Sequence, residues 1–268
     1  MGGQTPRLTP AGFIRSLWNI LVRRPQVPPT LAGNQLLQVI LHRRSTRHFT
    51  SRPLPDDVFA AILEAGRLAP ATVNMQNRTF AVFSPATWQA AFGRSIPFKA
   101  AQAVIILGDI HRSRAVLETF PHSPLVEYTA AVMNASLAAM NMNIAAEALG
   151  VASVMLSETG RSGLLDVGYL CEKLCLPEGV FPLMTIVFGY PAAAPPPMPP
   201  KLPLEEISFS RGKYRETDPV LLREWLEQMT AGYKASFPFS SLEAQLRVYQ
   251  SKIGKAEADL NAIVFKKY

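Results

Sequence analysis

The stretch "YTAAVMNASLAAMNMNIAAEALGVASVML", residues 128–156, decides most of the fold reading. Residues 128–146 carry no charge. Nineteen such residues are enough to span a bilayer as a helix. Thr129, Asn134, Ser136, Asn141 and Asn143 interrupt the apolar run, however, and small residues fill much of the rest. That composition suits a helix buried in protein rather than in lipid. Gly150 is a natural C-cap for a helix over 125–149, and "VASVML" directly after it reads as a strand.

Working outward, "TFAVF" (79–83), "AVIILGD" (103–109) and "LMTIVFGYP" (183–191) also read as strands. "NQLLQVILHRR" from Asn34 has helical apolar spacing. In "LPDDVFAAILEAGRLAP" Pro55 suits a first helical turn. Asp56 and Asp57 suit the positive end of the helix dipole, and Pro70 stops the helix. Further helical stretches fall around 164–175, 219–232 and 241–262. Helices and strands alternate, which predicts an α/β or α+β sheet covered by helices. "PAAAPPPMPPKLP" (191–203) holds seven prolines in thirteen residues and predicts a stiff extended arm. The organisation expected is an extension over 1–33, a main domain over 34–207 and a helical extension over 208–268.

Composition narrows the function. The chain has 268 residues, 48% hydrophobic and 18% charged, so it can bury a sizeable core. A net charge of +7 favours anionic partners. The basic residues are dispersed and no nucleic-acid module is present, so no nucleic-acid partner is expected. Cys171 and Cys175, four apart among apolar residues, read as two reduced core thiols, as in a reducing compartment such as the cytoplasm. "AGFIRSLWNILVRRP" (11–25) is amphipathic, with Phe13, Ile14, Leu17, Trp18 and Leu21 on one side. It reads as an arm packed on its own protein; the alternative is a membrane-surface helix, given Arg15, Arg23 and Arg24.

Familiar catalytic motifs are missing: GxGxxG, the Walker loop, HExxH and GxSxG do not occur, and the four histidines lack metal-site spacing. No metal and no side-chain nucleophile is expected; a cofactor is left to carry any chemistry. "HRRSTRHF" (42–49) then becomes informative. Arg43, Arg44, Ser45 and Arg47 offer guanidinium forks and a hydroxyl, a set suited to a phosphate dianion. Taken alone, the cluster fits a solvated basic turn equally well.

The surroundings of that cluster resemble the opening of the nitroreductase family, the FMN-dependent NAD(P)H oxidoreductases. The likeness runs through "RRSTRHFTSRPLP", "FAAILEAGRLAP", "ATVNMQNRTFAVF", "NASLAAMNMNIAAEALGVAS", "LCLPEGVFPLMTIVFGYP" and "KLPLEEI", collinear from about Leu37 to Ile207. The resemblance implies an α+β fold, with a mostly antiparallel sheet flanked by helices, in an intertwined homodimer with FMN at the interface. It gives the uncharged helix a dimer face to cover and the proline-rich arm a partner subunit to reach. It matches Arg43, Arg44, Ser45, Arg47 and Lys201 to FMN phosphate and ribityl contacts. Pro70, Ala71, Thr72, Asn74 and Gln76 match the loop lining the flavin, supplied in the family by the other subunit. Leu156, Ser157 and Glu158 match the stretch whose backbone N–H groups face the flavin, and Arg94 or Ser95 is a candidate for its pyrimidine edge.

The implied activity is hydride transfer from NAD(P)H through the flavin to a small electron-poor acceptor such as a nitroaromatic or quinone, with no protein acid or base required. Alternatives are other flavin chemistry on the same fold (dehalogenation, ene reduction, flavin fragmentation), a non-catalytic flavin-holding dimer, or a membrane-surface protein contacting lipid through residues 11–24. The chain departs from the family pattern at Asn77 and Arg78, where Pro and Trp are usual, and at Ala71 and Val73, where many members carry Ser or Thr. Lys201 stands alone of a late basic pair, Pro199 holding the other place, with Arg211 and Lys213 as candidates to compensate.

Overall fold

The computed structural model describes residues 8–22, 25, 27–116, 123–156, 164–210, 212 and 214–265. Contacts divide the chain into two units, one of residues 28–196 and 252–268, the other of residues 1–27 and 197–251.

The larger unit is built on four strands: β1 (Arg78–Phe83), β2 (Gln102–Asp109), β3 (Ala152–Leu156) and β4 (Val180–Gly189). Their order is β1-β2-β4-β3, and all three pairings are antiparallel. The fold is therefore α+β. β2 and β4 are apolar almost throughout because both of their faces are covered. On one face Val104, Ile106, Ile186 and Phe188 pack beneath helices α3 (Asp56–Arg67) and α6 (Pro124–Ala148). On the other, Ala103, Ile105, Leu107 and Val187 meet Trp88 of α4 (Pro85–Phe92) and Leu170 of α7 (Val167–Lys173). The two-residue alternation of strand side chains thus divides the core into two layers.

α2 (Gln35–His42) is N-capped by Asn34, whose side chain accepts from Leu37 N at 3.0 Å. α4, absent from the sequence reading, is set by a capping box between Ser84 and Thr87 with Pro85 at the first turn. α5 (His111–Val116) is a short helix after β2. β4 begins at Val180, earlier than the expected 183, and so takes in Pro182. A proline lacks the N–H a central strand needs; here it stands opposite Leu107, where a bulge between Ile106 and Leu107 shifts the register. Cys175 is exposed with φ +50°, just beyond the end of α7, so it is not the core thiol expected. Cys171 is half-buried; burial, then Asp259, pushes its thiol up to about 11.

In the smaller unit α1 (Pro10–Val22) packs on α9 (Pro219–Ser236), and a single turn, α8 (Leu204–Ile207), follows the proline-rich segment. α10 (Leu242–Val264) begins in this unit, but its last turns belong to the larger one. There Leu260, Ile263, Val264 and Phe265 join the core, and Asp259 accepts from Gly168 N at 3.2 Å. Among the described residues no helix is long and apolar enough to cross a membrane.

Candidate functional site

The basic cluster sits where α2 ends against the sheet edge. Arg43 is the C-cap of α2, its N–H bonded to Val39 O. The chain then runs beside β3: Ser45 forms a parallel bridge with Ser153, and Thr46 N donates to Ser153 O at 3.0 Å. Ser153 is in turn fixed by its hydroxyl, which donates to Asn143 Oδ1 at 2.5 Å. The cluster is thereby pinned to β3, whose far end is Leu156.

Its charges are unequally balanced. Arg44 folds back, donating to Leu41 O at 2.7 Å and Arg43 O at 2.9 Å. Its pKa is lowered, first by burial and then by the neighbouring charge of Arg43, with Glu147 opposing both. Glu147, at the end of α6, was not singled out from sequence. Burial raises its carboxyl pKa, while Arg43, Arg44 and His42 pull it back. Two guanidinium groups thus share a partly buried corner with a carboxyl group that burial disfavours as an ion. Such a corner gains from an incoming anion. Arg47 is exposed beside it.

The second expected element, Pro70 to Gln76, lies elsewhere. It links α3 to β1, the sheet edge opposite β3. Val73, Asn74 and Gln76 all have positive φ, 48°, 54° and 52°. A β-branched residue in that region costs about 1–3 kcal/mol, a conformation associated with functional loops. Thr72 anchors the loop: its backbone N–H and its hydroxyl donate to Asn134 Oδ1 on α6, at 3.0 and 3.3 Å. Asn134 is 1% exposed, and its Nδ2 has no partner. Pro70, Asn74 and Gln76 are exposed, and Ala71 is half-buried.

Arg78, one of the departures from the family pattern, is buried and turned away from the loop. Its Nη2 donates to Arg67 O at 2.8 Å and Ala69 O at 2.7 Å, filling carbonyls at the end of α3. It is a latch under the loop rather than part of its open surface. Asn77 is buried too, its backbone carbonyl accepting from Asp109 N.

Within one chain the structure does not bring these two elements together. Glu147, beside the arginines, and Asn134, under the loop, are thirteen residues apart on α6, about 20 Å along the axis. Lys201 belongs to the smaller unit. Arg94 and Ser95 follow α4 on the sheet face opposite α6. Ser157, Glu158, Arg211 and Lys213 lie outside the described residues.

The larger unit is thus a four-stranded antiparallel α+β unit with an arginine corner at one sheet edge and a strained polar loop at the other, both touching the same helix, α6. The chain belongs to the nitroreductase family, whose model matches residues 40–190. It is 24% identical over 202 residues to the oxygen-insensitive NADPH nitroreductase of Salmonella typhimurium, covering 74% of this chain and 82% of that one. It is 27% identical over 187 residues to an FMN reductase [NAD(P)H] of Bacillus subtilis, covering 65% and 73%. Among solved structures, B. megaterium NfrA2 matches with a TM-score of 0.70 at 20% identity, over 88% of this chain and 99% of that one.

Proposed function

We propose that the protein is an FMN-dependent NAD(P)H oxidoreductase acting on a small electron-poor acceptor of the nitroaromatic or quinone class, as a homodimer with two shared sites. The observation that carries this reading is the pair Arg43 and Arg44 in a partly buried corner where, among the described residues, Glu147 is the carboxyl group facing them. The names of the relatives, an NADPH nitroreductase and an FMN reductase, agree with it.

The residues fit the cofactor. Arg43, Arg47 and Ser45 would hold the phosphate, with Lys201 and the Ser157–Glu158 backbone assigned by family likeness. The loop from Pro70 to Gln76 would line the ring, Asn74 and Gln76 turning amide groups to its polar edge. FMN, when bound, supplies a ring that takes a hydride from NAD(P)H and passes electrons on. The chain's own part is to bind, orient and exclude water.

The dimer follows from the split site. α6 exposes Val126, Met133, Leu137 and Met140, spaced seven, four and three residues apart along one side. This apolar stripe runs past the loop anchor at Asn134 toward the end of α6 that carries Glu147. Pairing α6 across a two-fold axis would cover it and bring one chain's loop toward the other chain's arginines.

Arg43→Ala with Arg47→Ala is the direct test. Arg44 is spared because it holds backbone carbonyls. Each charge-assisted contact contributes on the order of 1.5–3 kcal/mol, so FMN affinity should fall by roughly two to four powers of ten. The variant should purify folded and colourless, and lose NADPH oxidation with menadione or a nitrofuran. Stoichiometric FMN in the purified variant would refute the phosphate assignment. Recovery of FAD from denatured wild-type protein would refute the cofactor.

A further inference from the structure

α1 has two apolar faces, and α9 covers one. Phe13, Ser16, Leu17 and Ile20, at helical spacing, form the packed face; Ser16 and Ile20 are buried, and the Ile20 side chain closes on Gly232 of α9. Ile14, Trp18 and Leu21 form a second stripe at i, i+4 and i+7, 67%, 65% and 56% exposed, with Val22 beside them. The arm expectation and the surface-helix expectation therefore describe different faces of the same helix.

The sequence charge along this segment is one-sided. No acidic residue occurs before Asp56, whereas Arg7, Arg15, Arg23 and Arg24 flank or sit on the helix. Arg15 meets Glu227 of α9 at 3.7 Å, an exposed pair of the kind that contributes little. A protein groove or a second copy would need an apolar surface rimmed by acidic residues to match both the stripe and the arginines, and this chain is itself basic, with a net charge of +7. An anionic lipid surface uses both: the apolar stripe enters the headgroup boundary, tryptophan favours that depth, and arginines meet lipid phosphates. Thirteen residues make a helix of about 20 Å, too short to span a bilayer but suited to lying in its plane.

We propose that α1 seats the protein on anionic membrane surfaces through Ile14, Trp18 and Leu21, while its opposite face stays on α9. The test is co-sedimentation of the intact, FMN-loaded protein with vesicles of phosphatidylcholine, alone or with about one-third phosphatidylglycerol. Partitioning onto the anionic vesicles should exceed that onto neutral ones by about tenfold or more and weaken at high salt. Trp18→Glu with Leu21→Glu should lower it by a similar factor, leaving FMN content and turnover unchanged. Failure to sediment with either vesicle, or equal sedimentation of the variant, overturns the proposal. A change in oligomeric mass of the variant also overturns it, assigning the stripe to a second copy. Should the variant not fold, brominated phosphatidylglycerol supplies the measurement on protein that keeps Trp18 and carries Trp225→Phe, since Trp225 on α9 is only half-buried: Trp18 fluorescence should be quenched, Trp88 being fully buried, and its absence rejects the idea.

Discussion

At the scale of single residues, the arginine corner was legible and its counter-charge was not. Arg43, Arg44 and Arg47 are adjacent in sequence, so local composition reveals them. Glu147 is a hundred residues away and acquires meaning only when α6 ends beside α2. Asn134 is similar: its role under the loop is fixed by where Thr72 lands. Glu147 also yields a signed expectation. Its folded pKa is raised, chiefly by burial, so the protonated form is favoured in the native state. Stability from that group is present at low pH and lost as pH rises above the ordinary carboxylate range through its raised value. Glu147→Gln should therefore gain stability relative to wild type from about pH 5 upward. Removing one charge beside a phosphate should also tighten FMN by about 1 kcal/mol, on the order of fivefold. Thermal melts across pH and fluorescence titration of FMN at pH 8 measure both. Weaker FMN binding in the variant would show that Glu147 instead positions the arginines.

At the scale of elements, end signals located α3 and α6, through Pro55, Asp56, Asp57 and Pro70 for one and an uncharged run closed by Gly150 for the other, and apolar runs located β2 and β4. These readings missed α4, a short helix whose signal was its capping box rather than its hydrophobic spacing. They also placed the start of β4 too late, since Pro182 argues against a strand until the bulge opposite it is known. The departure at Arg78 comes just after the stretch matched to the flavin-lining loop. In the structure it closes the end of α3. Arg78→Met would leave the Arg67 and Ala69 carbonyls without their partner, at a cost of about 2–4 kcal/mol. The urea midpoint should drop, and FMN affinity should weaken with it because the loop begins at the next residue, Pro70. An unchanged midpoint would mean that the latch contributes nothing to the fold.

At the scale of the whole molecule, the uncharged helix that first suggested a membrane is better explained by the geometry of the site. One side of α6 is fully buried in the core, with Ala135, Ala138, Ala139 and Met142 nearly inaccessible. The other side stays apolar and open, and the two halves of the site lie about 20 Å apart along it. On the proposed reading a single chain holds two half-sites of opposite kind, and a two-fold pair would complete two whole ones. Subunit complementation tests this without any structure of the dimer. Arg43→Ala with Arg47→Ala removes the phosphate half, and Asn74→Ala with Gln76→Ala removes the ring half; neither homodimer should retain FMN. Co-expressed with different tags and paired at random, half of the dimers carry one chain of each kind, and each of those has one intact site. FMN should reappear at about one per four protomers, confined to the doubly tagged fraction. Met133→Glu with Leu137→Glu, on the exposed stripe, should give a folded monomer in light scattering that has lost FMN although both half-sites are intact. If the mixed dimers stay colourless while a wild-type monomer binds FMN, the site is built within one chain and the stripe on α6 has another use.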